Sequence, residues 1–460
     1  MLSESTGPRP LDAAHSARRA FQSGRTRPLK WRHTQLEGLI AMLENEEKTF
    51  LDAMAADLGK PAFEGWMTDI GVLISEFKHM RSALAGHLRP ERVQLPLFMR
   101  PGKAQVVQEP LGVILVVSPW NYPINLAVSP LAAALAAGNA AVLKPSELSP
   151  ATSEALALLL PRYVDPEATQ VVTGGQDVAT ELLAHPFDHI VFTGSSSVGK
   201  IVMKAAAANL TPVTLELGGK SPAIIDPSAD LEVAARRIAQ GKVLNAGQTC
   251  IAPDHIYVPR TSMNEFLEHL GNAFAAMVPD RRAGNYTRIV SRRHFDRLVA
   301  MIPKDGVVFG GEYDTDSLTI APTIVVDPDP ESPLMTEEIF GPLLPVVGVG
   351  DVDDAIDAIN AQPKPLALYV FGTDEAAIDR VIRRTSSGAV GVNQTMYHAG
   401  APRLPFGGVG NSGTGRYRGM SGVDRLSNPK SVLRRGMSPD PGLAYPPYGP
   451  IARRVLRRLI

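Results

Sequence analysis

Apolar positions across residues 28–58 fall at three- and four-residue steps, through Leu36, Leu39, Ile40, Leu43, Phe50, Leu51 and Met54, and predict helix. The following stretch, 89–103, carries Pro90, Pro96 and Pro101 and reads as an extended connection or an edge hairpin. From residue 113 the pattern changes. Short continuous apolar runs occur at 113–117, 140–143, 170–173, 189–193 and 213–217, separated by helical periodicities at 124–137, 151–160, 178–184 and 198–210. Strands apolar on both faces that alternate with helices belong to a parallel sheet covered on both sides, so a five-stranded doubly wound unit is expected. A second α/β region follows Gly218, with strands at 223–225, 255–258, 324–326, 344–349 and 368–371. The last turns place Ile451, Val455, Leu456, Leu459 and Ile460 opposite Arg453, Arg454, Arg457 and Arg458, the pattern of an amphipathic helix with a basic face.

Composition narrows the class of protein. A chain of 460 residues predicts two or three compact units. With 44% hydrophobic and 20% charged residues it is neither disordered nor collagen-like. Lys and Arg number 46 against 47 Asp and Glu, so the basic excess usual for nucleic-acid binding is missing and no nucleic-acid partner is expected. No apolar run approaches the ~18 residues of a spanning helix, and residues 1–30 contain no apolar signal-peptide core. There is one cysteine, Cys250, which excludes an intramolecular disulfide and a cysteine-cluster metal site. The ten histidines form no HExxH pattern. These features predict a cytoplasmic, metal-free enzyme.

Three places carry candidate chemistry. After the run 189–193 comes Gly194-Ser195-Ser196-Ser197-Val198-Gly199-Lys200, leading into a helix, where exposed backbone N–H groups and the helix dipole favour an anion. The segment nearly matches the P-loop pattern of nucleotide hydrolases, but Ile201 cannot supply the hydroxyl that coordinates magnesium, and GxGxxG is also absent. A plain serine-capped helix start is the other reading. Cys250 ends the small-residue stretch Asn245-Ala-Gly-Gln-Thr-Cys250, which suits an approachable thiolate, although a lone cysteine also serves as a small buried hydrophobe. Glu216 stands 34 residues earlier, at the end of an apolar run. A carboxylate there is costly unless paired or functional, and burial would make it a usable base near neutrality. A salt bridge to Lys220 or Arg237 is the alternative. A Cys–His hydrolase is the competing enzyme class, but His255, on the next strand, is expected to face elsewhere.

These residues sit in motifs that resemble the aldehyde dehydrogenase superfamily: Pro119-Trp-Asn-Tyr-Pro123, Lys144-Pro-Ser-Glu147, Phe192-Thr-Gly-Ser195, Leu215-Glu-Leu-Gly-Gly-Lys220, Gly247-Gln-Thr-Cys250, Glu337-Glu-Ile-Phe-Gly-Pro342 and Pro405-Phe-Gly-Gly408. The compact length, the run Leu210-Thr-Pro-Val-Thr-Leu-Glu-Leu-Gly-Gly and the segment Tyr445-Pro-Pro-Tyr448 are most similar to the class 3 branch. The resemblance implies an NAD-dependent, and also NADP-tolerant, oxidation of medium- or long-chain aliphatic or aromatic aldehydes. It assigns Cys250 as nucleophile, Glu216 as the base that activates water, and Asn121 with the Cys250 N–H as oxyanion donors. Lys144 and Glu147 would hold the adenosine ribose, and Gly194–Gly199, including Ser195, Ser196, Ser197 and Val198, the pyrophosphate. Trp120 and Leu217 would line the cofactor cleft, and Glu338 and Phe340 would contact the nicotinamide riboside. Retention of Cys250, Glu216 and Asn121 together speaks against a non-catalytic relative.

The same resemblance implies a homodimer and a division of the chain. Residues 1–88 and 106–217 would form the NAD(P)-binding domain and 218–404 the catalytic domain. Segments 89–105 and 405–435 would bridge subunits, and 436–460 would form a tail. Tyr122, Met396, Tyr397 and His398 are candidates for the substrate funnel, and the C-terminal helix is expected either to pack on its own domain or the partner subunit, or to border the funnel and make weak contact with an anionic membrane.

Overall fold

The computed structural model describes residues 8–278, 284–440, 445–447 and 449–459, which leaves Tyr448 and Ile460 outside the described residues. Five parallel strands, in spatial order Thr169–Val171, Ala140–Lys144, Val113–Val117, His189–Gly194 and Val213–Leu217, form the expected doubly wound sheet. The chain moves outward from Val113–Val117 in one direction and then returns to its other side. The C-terminal ends of Val113–Val117 and His189–Gly194 therefore open the crevice at which such sheets bind ligands. The β-rich strand Val113–Val116 is almost completely buried because helices cover both faces. One of them, Asn125–Ala137, is buried along its whole length and ends at Gly138, whose φ of 90° gives the left-handed stop that glycine adopts without strain.

The second sheet has seven strands, in order Val307–Phe309, Thr323–Val326, Leu343–Val349, His255–Pro259, Pro222–Ile225, Ala367–Phe371 and Ala389–Val392, all parallel except the first. The five interior strands lie where the apolar runs predict them. The two edge strands are partly exposed and lack the continuous apolar signature that marks a strand buried on both faces.

A third sheet pairs Glu91–Val93 and Ser427–Arg434 on either side of Lys103–Pro110, all antiparallel, which realises the edge hairpin. Two expected boundaries shift as a result. Lys103–Pro110 belongs to this sheet throughout its length, past residue 105, because its backbone pairs with Ser427–Arg434 to the end. Gly413–Thr414, expected within a bridging segment, instead adds a short antiparallel sixth strand to the first sheet, opposite Glu216 and Leu215. The helical stretch 28–58 is two helices, Leu29–Asn45 and Glu47–Leu58, broken at Glu46. Near the C-terminus the helix Pro450–Leu459 approaches the turn Leu97–Met99.

Candidate active site

Cys250 lies in the connection between the helix Leu231–Val243 and the strand His255–Pro259. Just before it, Asn245, Ala246 and Gly247 take φ values of 53°, 51° and 71° in succession. A non-glycine residue in this left-handed region costs about 1–3 kcal/mol and persists only where its surroundings enforce it. The enforcement is visible. Asn245 donates its side-chain amide to the Asn121 carbonyl at 2.9 Å and to the Gln248 carbonyl at 3.1 Å, while its backbone N–H meets Glu64 Oε1 at 2.8 Å. A Cβ on Gly247 would stand 2.3 Å from the Gly341 carbonyl oxygen, so only glycine fits there.

Asn121, 2% exposed, is tied into the same turn, because its Nδ2 donates to the Gln248 carbonyl at 3.0 Å. One amide hydrogen is thus anchored to the backbone two residues before Cys250. Desolvation first, then the nearby Glu338 and Glu216 carboxyls, push the Cys250 thiol up to about 12, so the resting nucleophile is the neutral thiol.

Glu216 is buried on the strand Val213–Leu217, and neither of its carboxyl oxygens has a hydrogen-bond partner among the described residues. Burial raises its pKa well above the usual carboxylate range, with Arg416 and Arg418 opposing the rise. The salt-bridge alternative does not hold. Lys220 is engaged by Asp254 and by the carbonyls of Leu334 and Glu337, and Arg237 donates to the Asn393 carbonyl. Space for the Glu216 carboxyl exists because residue 407 is glycine, where a Cβ would lie 2.6 Å from Oε1.

A cleft of about 640 Å³ opens between the two large sheets, and its walls include Ser196, Gly199, Leu217, Gly218 and Glu338. Gly199 packs so closely that a Cβ would reach within 2.6 Å of the Leu217 side chain, which lets the helix Ser196–Ala208 lie against the strand and present its N-terminus. Ser195 caps that helix, accepting from the Val198 N–H. Glu338 Oε1 accepts from the Gly219 N–H at 3.0 Å, and burial lifts its carboxyl to about 7. These features fit a dinucleotide: an amide-rich helix start for phosphates and a carboxyl near the thiol for a ribose.

The other expected cofactor residues occupy the flanks. Trp120 and Phe340 meet edge to face at 5.5 Å. Gly194, Ser197 and Val198 belong to the strand end and first helical turn. Lys144 ends its strand with a buried ammonium 3.1 Å from Glu147 Oε2, while the Glu147 side chain is half exposed. Neither residue lines the 640 Å³ cleft, but both stand at a strand end beside the crevice.

A second cavity, of about 380 Å³, opens at the thiol. Tyr122, Met396 and Tyr397 line it as expected, together with Met67, Thr68, Phe406 and Arg418. His398 is not on its wall but stacks behind Phe406, with ring centroids 6.2 Å apart. The sequence reading missed Met67, Thr68 and Arg418. Met67 and Thr68 lie in a helix whose apolar pattern points to core packing, and Arg418 looks like any surface arginine in Gly-Arg-Tyr-Arg-Gly. Gly410, Asn411 and Gly413 also wall the larger cleft.

A thiol set between a dinucleotide-sized cleft and a largely apolar cavity, with an unpaired carboxyl and amide donors around it, defines an oxidoreductase that captures a carbonyl compound covalently. The family model described as "Aldehyde dehydrogenase family" matches residues 5–432. Mouse "Aldehyde dehydrogenase family 3 member A2" is 46% identical over 436 residues, covering 94% of this chain and 90% of that protein. Mouse "Aldehyde dehydrogenase, dimeric NADP-preferring" is 45% identical, covering 94% and 96%. The substrate-bound Staphylococcus aureus AldH superposes with a TM-score of 0.95 at 37% identity, covering 98% of this chain and 99% of that one. The chain belongs to the aldehyde dehydrogenase family, on its class 3 branch, and oxidises aldehydes to carboxylic acids with NAD(P).

Proposed function

We propose that this oxidation runs through Cys250, Asn121 and Glu216, and the observation that carries the assignment is the buried, unpaired Glu216 carboxyl beside the thiol. The Cys250 thiol gives up its proton, to the ionised Glu216 or to water, as sulfur bonds to the aldehyde carbon. The carbonyl oxygen becomes an oxyanion held by the Asn121 amide and the Cys250 N–H. Nicotinamide, when bound, supplies the acceptor for the hydride that leaves this carbon. The carbon then remains on sulfur as a thioester, and Glu216, with any proton it took released to solvent, takes a proton from water as the hydroxide attacks. Collapse breaks the carbon–sulfur bond, frees the carboxylate and returns the thiol. Glu338, whose carboxyl acts electrostatically on the thiol, and Phe340 would hold the nicotinamide riboside.

In this reading the Glu147 carboxylate accepts two ribose hydroxyls and repels a 2′-phosphate. Its half exposure leaves it free to turn toward a ligand. Glu147→Gln is expected to weaken NAD and shift the ratio of kcat/KM values toward NADP. An unchanged ratio would place this residue away from the ribose.

The apolar cavity walls favour medium- or long-chain aliphatic and aromatic aldehydes, in a cytoplasmic homodimer divided into NAD(P)-binding, catalytic and bridging parts. The dimer has support in the name of one relative, "dimeric NADP-preferring". A panel of C2–C16 and aryl aldehydes with either cofactor, followed by the absorbance of the reduced cofactor, tests the substrate class; a preference for C2–C3 aldehydes would overturn it. The basic helix Pro450–Leu459, with Ile451 exposed, would also rest weakly on anionic lipid near the funnel. Deleting 450–460 is then expected to raise KM for a C16 aldehyde while sparing a short one, and to reduce salt-sensitive sedimentation with anionic vesicles. Normal handling of both lengths and no sedimentation of either form would make the tail structural.

A further inference from the structure

Lys60 and Asp69 form an ion pair, with Nζ 3.0 Å from Oδ2, in which both side chains are fully buried. Such a pair is a poor source of stability, because stripping water from two charges offsets most of their attraction. Its neighbours show what else it does. Lys60 Nζ also donates to the backbone carbonyl of Asn121 at 3.0 Å and lies 4.4 Å from the Tyr122 ring centroid. Asp69 Oδ1 accepts from the backbone N–H groups of Ile124 at 3.2 Å and Asn125 at 3.1 Å. The Asn125 side chain donates to the Thr68 carbonyl at 2.7 Å. The loop carrying Asn121 is therefore fastened at its middle and at its C-terminal end to a single short segment.

That segment has an unusual backbone. The helical turn Ala62–Gly65 passes into a π-helical turn, Trp66–Gly71, a widening that occurs frequently at functional sites. It lets Met67 and Thr68 line the cavity at Cys250 while Asp69 turns into the protein. Glu64 on the same segment accepts the Asn245 N–H, in the turn that leads to Cys250. Residues 60–69 thus grip both halves of the oxyanion site, the Asn121 loop and the cysteine turn.

We infer that Lys60 and Asp69 are positioning residues for the oxyanion site, holding the Asn121 amide in register with the Cys250 N–H. The inference rests on Asn121 being an oxyanion donor. The pair acts through the Asn121 carbonyl and the Ile124 and Asn125 amides. Misplacing a catalytic group by about 1 Å costs on the order of a hundredfold in rate.

The test uses the full-length Lys60→Met/Asp69→Asn variant, which removes both charges and leaves neither orphaned. Its kcat for aldehyde oxidation is expected to fall by roughly 10- to 100-fold with KM within about twofold. Acylation of Cys250 by p-nitrophenyl acetate without nicotinamide passes through the same oxyanion and is expected to slow in parallel. Introduced into Asn121→Ala, the same double substitution is expected to cost less than about twofold, since the group it positions is gone. Full multiplicative loss in the Asn121→Ala background, or an unchanged kcat, would overturn the positioning role. Asn121→Ala alone having no effect on either rate would instead remove the oxyanion reading itself. If the double variant does not fold, Lys60→Arg, which keeps the charge but changes its shape, is expected to give the same kcat loss and the same cancellation; full multiplicative loss there would overturn the role equally.

Discussion

Cys250→Ala is expected to lower aldehyde oxidation by at least ~10³-fold while nucleotide binding and folding persist. The size of the loss follows from the chemistry: without sulfur on the carbonyl carbon there is no tetrahedral centre from which hydride can depart. Nothing nearby can substitute, since this is the only cysteine in the chain and the neighbouring Glu216 and Glu338 are carboxyls. Folding survives because the substitution removes one sulfur from a half-buried position whose surrounding turn is held by Asn245, Gln248 and Asn121. Nucleotide binding survives because Cys250 is not on the wall of the larger cleft. Reduced-cofactor absorbance, a nucleotide titration and a melting curve check the three parts. Activity within tenfold of the parent enzyme would end the assignment.

Glu216→Gln is expected to stop the cycle later. An amide cannot take a proton from water, so the thioester forms but is not hydrolysed, and at most one reduced cofactor per site appears in a burst. The pH dependence follows the direction of the shift. Burial raises the Glu216 pKa, and only the ionised form is a base, so turnover of the parent enzyme climbs as pH rises through that raised value. In the variant this limb disappears. Stability changes with the opposite sign. A carboxyl whose folded pKa is raised stabilises fully below its unfolded value and loses that contribution as pH rises through the folded one. Glu216→Gln therefore melts no lower than the parent on the alkaline side. Steady turnover with parental deacylation would show that another group activates the water.

The five parallel strands of the first sheet and the interior strands of the second were legible because each leaves a strong local mark, as does the thiol. Val113–Val116 is a β-rich run buried on both faces, and Cys250 is the only thiol. What escaped was whatever depends on distant partners. Gly413–Thr414 is a strand only because Glu216 and Leu215 lie opposite. The break at Glu46 interrupts a periodicity that continues in phase on both sides, so the pattern alone shows one helix. Arg418 becomes a cavity residue because Glu76, Asn125 and the Phe406 ring gather around its guanidinium, and all of these lie elsewhere in the chain. Lys60 and Asp69 look like an ordinary exposed pair near a helix, and only the fold shows the Asn121 loop seated between them.

The central claim is that a covalent acyl group passes through Cys250 and waits there for Glu216. Intact-mass and peptide mass spectrometry of Glu216→Gln, quenched in acid after mixing with NAD and a medium-chain aldehyde, tests this directly. The account predicts one added acyl group per chain, located on the peptide containing Cys250 and absent from Glu216→Gln/Cys250→Ala or when NAD is omitted. No adduct despite a burst of reduced cofactor, or an acyl group on any other residue, would contradict it.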